Sequence, residues 1–292
     1  MTAKPNRKIT KCVIPVAGLG SRFLPATKAV PKELLPIIDK PIIHFIVQEA
    51  VSAGIETVVF VTSRPKVLIE DYFDPGDLTR FRLMEAKKEH LIEEVLRLSE
   101  KIDIVSVRQY EPRGLGHAIL QAAPIVEGQS FAVILGDDLI VGDGSSAIAQ
   151  CAQMFNEKDE GSVIGVLRVP REESDKYGMV AVDDSQRITR FVEKPAPAET
   201  PSDLAMPGRY VFEAHIIEAL RKVGPGKNGE IQLTDAMDLI VKDRPFFAKE
   251  IAGERFDTGD KLGYIMANVA FALRDPLYKD PLRAWLNARL GT

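Results

Sequence analysis

The chain of 292 residues is 45% hydrophobic and 27% charged, a composition typical of globular proteins with one large or two modest domains. A formal net charge of −4 gives the whole chain no attraction for nucleic acid, and no apolar run reaches the length of about eighteen residues that a membrane span requires, so we expect neither partner. The N-terminus lacks an export signal, and Cys12 and Cys151 lack a C-x-x-C partner, which favours a cytoplasmic protein with reduced thiols.

The first predicted element is a buried strand over residues 13–17, which runs into a glycine-rich turn over residues 18–20. Three cations follow this turn, namely Arg22, Lys28 and Lys32. Glycines let the backbone approach a ligand, the exposed amides of such a turn bind anions, and nearby cations can neutralise a polyphosphate. The segment matches neither a P-loop nor the dinucleotide-binding fingerprint. It predicts a phosphate-binding loop of another kind, with a solvated basic loop as the alternative.

Strand and helix patterns then alternate through the first half of the chain. The predicted elements are a helix around residues 43–51, a strand at 58–61, a helix marked by Leu91, Val95, Leu98 and Ile102, a strand at 103–109, a helix at 117–123, a strand at 131–135 and a helix at 145–156. This rhythm favours an α/β fold with a mostly parallel sheet covered on both faces. Ligands of such sheets bind beyond the carboxyl ends of the strands, which is where the first loop, the loop after residue 109 and Asp137-Asp138 are expected to lie.

The second half of the chain is richer in strands. The predicted elements are strands at 162–169, 178–183 and 188–192, a Pro- and Ala-rich loop at 195–207, a strand at 210–212, helices at 214–222 and 233–242 joined by a flexible connection at 224–229, a strand at 246–251 and a helical pattern from residue 261, interrupted at Pro276 and Pro281. The chain has no internal repeat and no clean linker. We therefore expect one domain over 1–292, with an α/β core at about 8–258 and C-terminal helices at about 259–292.

Polar residues at four predicted strand ends suggest chemistry. Asp137 and Asp257, one from each half, could together hold Mg²⁺, which proteins bind through one or two carboxylates plus substrate phosphates; turns and helix caps are the alternative roles. Lys194 could bind a phosphate, Glu193 could accept hydrogen bonds from sugar hydroxyls, and an exposed turn is equally consistent with both. The Gln109 amide presents the donor and acceptor that a pyrimidine edge requires.

Seven ordered blocks make the chain resemble the sugar-phosphate nucleotidyltransferases, and within that family the bacterial enzymes that transfer a uridylyl group to glucose 1-phosphate. The blocks are VAGLGSRFLPATKAVPKELLPI, EPRGLGHAI, LGDD, FVEKP, GRYVF, GEIQLTDA and FDTGDKLGY, and the resemblance extends from about residue 8 to about residue 275. It implies a Rossmann-like mixed sheet flanked by helices, with a sugar-binding portion and a C-terminal helical extension.

The resemblance also implies roles for individual residues. The nucleotide would be bound by Ala17, Gly18, Gly20, Ser21, Arg22, Lys32, Gln109, Gly114 and Asp137, with Gln109 and Gly114 reading uracil. Glucose 1-phosphate would be held by Gly178, Glu193, Lys194 and Gly208. Mg²⁺ would be held by Asp137 and Asp257, and the catalytic cations would be Arg22, Lys32 and Lys194.

The implied reaction converts UTP and α-D-glucose 1-phosphate into UDP-glucose and pyrophosphate. A thymidylyltransferase is the first alternative, although Pro31-Lys32-Glu33 and Gly136-Asp137-Asp138 are more similar to the uridylyl group. A non-catalytic nucleotide-sensing subunit on the same fold is the second alternative. The family's C-terminal helices often form subunit interfaces, which implies a homodimer or homotetramer.

Overall fold

A mixed sheet of ten strands forms the centre of the computed structural model, which describes residues 7–63, 66–76, 78–142, 144–226 and 229–291. The first half of the chain contains β1 (Lys11–Pro15), β2 (Pro36–Ile37), β3 (Lys40–Pro41), α1 (Ile42–Ser52), β4 (Thr57–Thr62), α2 (Leu68–Phe73), α3 (Leu78–Glu85), α4 (Glu93–Ser99), β5 (Asp103–Arg108), α5 (Leu115–Gln121), α6 (Ala123–Val126), β6 (Phe131–Ile134), β7 (Asp138–Val141) and α7 (Ala147–Glu157). The second half contains β8 (Ser162–Arg168), β9 (Gly178–Val182), β10 (Ile188–Glu193), β11 (Leu204–Ala205), β12 (Arg209–Phe212), α8 (His215–Lys222), α9 (Leu233–Ile240), β13 (Phe246–Glu250), β14 (Glu254–Asp257), α10 (Lys261–Arg274) and α11 (Lys279–Leu290).

The strand order is β10-β9-β11-β8-β12-β6-β1-β4-β5, with β13 parallel to β8. Strands β6, β1, β4 and β5 are parallel, so their carboxyl ends share one edge, as the sequence predicted. Strand β12 runs antiparallel to both β6 and β8 and joins the two halves of the chain. The predicted fold class is confirmed.

Hydrophobic cores cover both faces of this sheet. Alternate residues of β1 point to opposite faces, so Val13 belongs to one core and Cys12 and Ile14 belong to the other. Buried residues of α5, α8 and α9 complete the first core, and those of α1 and α7 complete the second. Both cysteines are buried free thiols. Within the described part of the chain, no helix combines the length and apolarity that crossing a membrane requires.

Three local predictions differ from the structure. The predicted loop at 195–207 contains the two-residue strand β11, too short to show a periodicity. The helix expected around residues 91–102 is limited to α4, because Leu91 lies in a 3₁₀ turn and Ile102 follows the helix. Pro281 does not interrupt the C-terminal pattern: it is the third residue of α11, where a backbone N–H has no partner within the helix.

Candidate active site

The loop after β1 folds into three 3₁₀ turns. Val16 extends the strand by donating from its N–H to Val61 O at 2.9 Å, and the chain then turns at Gly20, where φ is +64°. Thr27 Oγ1 donates to Gly20 O at 2.7 Å and fixes this turn. A Cβ at Gly20 would lie 3.3 Å from Lys32 Cβ, so the loop returns on itself and brings Lys32 beside the glycines. The remaining predicted nucleotide contacts lie along this stretch, with Ala17 buried and Gly18, Ser21 and Arg22 exposed.

Lys32 forms an ion pair with Asp137, from the turn between β6 and β7. Its ammonium donates to Asp137 Oδ2 at 2.7 Å. Burial disfavours both charges, but their mutual attraction outweighs it: the pKa of Lys32 is raised and the pKa of Asp137 is lowered. The pair therefore stays ionised, and its two charges neutralise each other within the protein.

Asp137 and Asp257 meet at Gly259, as their predicted shared role requires. A Cβ at Gly259 would lie 3.0 Å from Asp137 Oδ2 and 3.1 Å from Asp257 Oδ1, and the Gly259 N–H donates to Asp257 Oδ1 at 2.9 Å, so both carboxylates lie beside this residue. The Thr258 N–H and Oγ1 each donate to Asp137 O at 2.8 Å, which fastens the end of β14 to the turn after β6. Arg22 Nη1 donates to Gly259 O at 3.4 Å, so the first loop also reaches this point.

The donor set at Gly259 suits a hard divalent cation. Two carboxylate oxygens approach one location, and oxygen is the ligand type that Mg²⁺ and Ca²⁺ prefer. Among the described residues, no group of three or more His, Cys, Asp or Glu side chains could hold a metal. A metal ion at this point would therefore complete its coordination with water and substrate phosphates.

Gln109 follows β5 at the same edge of the sheet, some distance along from the carboxylates. Its side-chain Nε2 donates to Gly114 O at 3.2 Å. Gly114 has φ +96°, and a Cβ there would lie 2.8 Å from Ile231 O, so only glycine fits. The Ile231 N–H donates to Arg113 O at 2.8 Å and holds the loop against the segment before α9.

Three of the four predicted sugar-binding residues, Gly178, Glu193 and Lys194, lie together where β9 begins and β10 ends. Thr234 Oγ1 donates to Glu193 Oε2 at 2.6 Å, and a Cβ at Gly178 would lie 3.3 Å from the same oxygen. The strand alternation suggests that neighbouring residues face apart, yet the Lys194 ammonium lies 3.8 Å from Glu193 Oε1. The reason is that Lys194 is past the strand end with φ +45°. Gly208 is buried under Leu135, whose Cγ would be 2.5 Å from an added Cβ.

Arg255, which sequence reasoning missed, connects the carboxylates to the sugar-binding strands. Its Nη2 lies 2.5 Å from Asp138 Oδ1 and 3.6 Å from Asp257 Oδ2, while Nη1 donates to Tyr177 Oη at 2.8 Å. The Asp138 contact is an ion pair without hydrogen-bond alignment, and burial raises the pKa of Asp138 to about 7 against the opposing effect of Arg255. Tyr177 O in turn accepts from the Lys194 N–H at 3.0 Å. The shared strand face of Arg255 and Asp257 was the available signal.

A buried ion pair supports the turn that carries Lys32. The Lys66 ammonium donates to both carboxylate oxygens of Glu33 at 2.8 Å, and the exposed fractions of the two side chains are 6% and 1%. Burial raises the pKa of Glu33 and lowers that of Lys66. Glu33 is adjacent to Lys32, so this pair fixes the backbone from which the Lys32 side chain reaches Asp137.

Comparison with known proteins gives consistent results over nearly the whole chain. The nucleotidyl transferase family model matches residues 11–272. The chain belongs to the nucleotidyl transferase family. It is 44% identical to a UTP–glucose-1-phosphate uridylyltransferase of Streptococcus pneumoniae serotype 4 (96% of this chain, 95% of the relative) and 43% identical to one of Bacillus subtilis (98% of each). A solved UTP-bound UGPase from Acinetobacter baumannii has a TM-score of 0.87 and 37% identity over 96% of this chain and 99% of that chain.

Family membership bears on the paired carboxylates. Nucleotidyl transferases of this family generally use a divalent metal ion. Asp137 and Asp257 present carboxylate oxygens beside Gly259, and oxygen is the donor type that such an ion prefers.

Proposed function

We propose that this nucleotidyl transferase converts UTP and α-D-glucose 1-phosphate into UDP-glucose and pyrophosphate. The observation that carries the proposal is the convergence at one sheet edge of Arg22, Lys32, Asp137 and Asp257, with Lys194 connected to them through Tyr177 and Arg255. The relatives and the solved neighbour that bear this activity or its nucleotide in their names support it.

The proposed reaction joins two anions. A phosphate oxygen of glucose 1-phosphate attacks the α-phosphorus of UTP in line, and pyrophosphate leaves. Because the nucleophile is already ionised, no strong general base is required, and positioning and charge neutralisation are the main contributions of the protein. Arg22 and Lys32 hold the triphosphate, and Lys194 holds the phosphate of the sugar.

The remaining predicted contacts fall at the two ends of this charged centre. Gln109 and Gly114 would bind the uracil end, and Gly178, Glu193 and Gly208 would bind the glucose end. When bound, Mg²⁺ held by Asp137 and Asp257 would supply positive charge between the two substrates. We propose Mg²⁺ because the family generally uses a divalent ion and the donors are two carboxylates.

Pyrophosphate release tests this function and both alternatives. Purified protein is incubated with glucose 1-phosphate and each of UTP, dTTP, CTP and ATP, with and without Mg²⁺. We expect the fastest release with UTP and Mg²⁺. Faster release with dTTP would instead support a thymidylyltransferase, and no release with any nucleotide would support a non-catalytic sensor.

The metal ligands have a separate test. Asp257→Asn removes a carboxylate charge, and we expect the Mg²⁺ concentration at half-maximal activity to rise at least about tenfold, since even outer-sphere partners of a metal contribute that much. The control is Asp260→Asn, because Asp260 is the exposed N-cap of α10 and asparagine caps equally well. An unchanged Mg²⁺ response in the Asp257 variant would contradict the ligand assignment.

We also propose that the enzyme acts in the cytoplasm as a homodimer or homotetramer. Buried free thiols at Cys12 and Cys151 are compatible with a reducing compartment. Exposed apolar side chains on α10 and α11 support self-association.

A further inference from the structure

The side-chain amide of Gln109 is held in one orientation by two neighbours. Its Nε2 lies 3.2 Å from Gly114 O and 3.0 Å from His117 Nδ1. Within the described chain, Gln109 Oε1 accepts no hydrogen bond, and it is not among the buried polar atoms that lack a partner. The oxygen is therefore the part of this amide that is available to a ligand.

Hydrogen-bond chemistry determines which atom of the Gln109 side-chain amide is the nitrogen and which is the oxygen. A backbone carbonyl only accepts, so the amide atom beside Gly114 O must be the NH₂ group. The same nitrogen faces His117, so its second hydrogen requires an acceptor at Nδ1. His117 must then be neutral and carry its hydrogen on Nε2.

The surroundings of His117 place one condition on this tautomer. Gln121 Nε2 lies 3.2 Å from His117 Nε2, so the Gln121 amide must turn over for its oxygen to accept the Nε2 hydrogen. Partial burial, together with the positive charge of Arg113, lowers the pKa of His117, and Glu111 opposes this shift. The neutral ring is thus favoured near neutral pH.

We propose that His117 is a positioning residue that determines base specificity by holding the Gln109 amide oxygen towards the base. An oxygen at this place accepts from the N3–H of uracil or thymine, whereas N3 of cytosine carries a lone pair that meets it unfavourably. This inference rests on the proposed function, in which Gln109 reads the base. It assigns to His117 the rejection of cytosine and no part in distinguishing UTP from dTTP.

Three variants test the proposal through the ratio of kcat/KM for UTP to that for CTP. His117→Leu frees one amide hydrogen, so we expect the ratio to fall about fivefold to tenfold, the value of one neutral hydrogen bond. His117→Asn can place Oδ1 near the Nδ1 position and should keep the ratio within about twofold of wild type. Gln109→Leu removes the side-chain amide that contacts the base, and it should reduce the ratio at least as much as His117→Leu.

The outcomes separate the two proposals. If Gln109→Leu leaves the ratio unchanged, the proposed base-reading role is wrong. If Gln109→Leu lowers the ratio but His117→Leu does not, or if His117→Asn loses as much selectivity as His117→Leu, the positioning role is wrong while the reaction stands. A purely structural role for His117 would lower kcat/KM for both nucleotides equally and leave the ratio intact.

A direct measurement does not depend on activity or on the folding of a variant. Nitrogen chemical shifts of the His117 ring in the wild-type protein distinguish the two neutral tautomers. We expect an unprotonated Nδ1 and a protonated Nε2 at neutral pH. A hydrogen on Nδ1 would overturn the proposal.

Discussion

At the scale of single residues, the site contrasts cations that are already paired with cations that remain available. Lys32 is neutralised by Asp137 in the protein itself. Arg22 is exposed, and among the described residues its guanidinium donates only to the Gly259 carbonyl. The Lys194 side chain is 51% exposed, with Glu193 at 3.8 Å. Arg22 and Lys194 can therefore bind phosphate with little rearrangement of the fold.

This contrast predicts the effect of removing either cation. Arg22→Ala and Lys194→Ala should each lower kcat/KM about a hundredfold or more, roughly 3–4 kcal/mol of transition-state stabilisation, by analogy with the loss of an oxyanion donor. The thermal unfolding midpoint should hardly move, because both side chains are exposed. Lys101→Ala is the control, since this exposed lysine precedes β5 at the opposite end of the strand from Gln109. Near-normal turnover by either alanine variant would remove that cation from the mechanism.

At the scale of secondary structure elements, a buried ion pair joins the second half of the sheet to α1. Arg209 on β12 is fully buried, and its Nε and Nη2 each donate to Glu49 on α1 at 2.8 Å. Glu49 Oε1 also accepts from the N–H of Ile148 in α7, and Arg209 Nη2 donates to Asp138 O at 2.7 Å. The pair thus fixes two helices and the strand that carries Asp138.

Breaking this pair should be costly, because it leaves a charge buried without its partner. Glu49→Ala should lower the free energy of unfolding by about 3–5 kcal/mol in urea denaturation. The double variant Glu49→Leu with Arg209→Met removes both charges and should recover most of that loss. A double variant as unstable as Glu49→Ala would show that the geometry of the pair, and not the orphaned charge, stabilises these elements.

His44 links α1 to α2 and α4, and it makes their packing sensitive to pH. Its Nδ1 is 2.9 Å from Tyr72 Oη and its Nε2 is 3.2 Å from Glu94 Oε1. Burial lowers the pKa of His44, while Glu94 opposes this shift. The unfolded chain therefore binds the proton first, and the free energy of unfolding should fall as the pH drops below the ordinary histidine value of about 6.5. His44→Gln should show a smaller loss between about pH 7 and pH 5, and an unchanged slope would rule out this residue as the cause.

Sequence patterns predicted the elements that bury a periodic face and failed for the others. The β4 strand and the α1 helix present regular apolar residues, whereas β2, β3 and β11 have two residues each. In the site, glycines and strand-end charges indicated Lys32, Asp137 and Asp257. Lys66 was not found, because nothing local to a lysine reveals which distant carboxylate it meets. Arg255 shares a strand face with Asp257, but that local signal does not reveal its ion pair with the distant Asp138.

At the scale of the whole molecule, the C-terminal helices pack on the core with one face and expose an apolar surface with another. Ala267 of α10 is fully buried, and Tyr264 Oη donates to Pro36 O at 2.6 Å. We propose from these contacts that the core at about 8–258 and the helices at about 259–292 form one domain. Several large apolar side chains of α10, α11 and the turn between them remain more than half exposed, namely Leu262, Ile265, Met266, Leu277, Trp285 and Leu290.

This apolar surface predicts self-association. Leu262, Ile265 and Met266 share one face of α10 at helical spacing, which a second copy of the chain could cover. Light scattering should give a particle mass two or four times that of the chain, and the double variant Leu262→Asp with Ile265→Asp should lower it. Leu91→Asp changes a leucine of equal exposure elsewhere and should leave the mass unaltered. A monomeric wild-type protein would contradict the proposed assembly.

The antiparallel pairing of β6 with β12 has a consequence for fragments of the chain. Arg22, Lys32 and Asp137 belong to the half of the chain that ends with α7, and Lys194 and Asp257 belong to the half that begins with β8. A cut between α7 and β8 would give two pieces, each with part of the charged centre and each with a bare strand edge. An unpaired strand edge pairs readily with another strand, and these two edges are each other's partners in the intact chain. Neither fragment alone should therefore catalyse the reaction. Activity should return only when the two fragments are mixed and their strand edges pair.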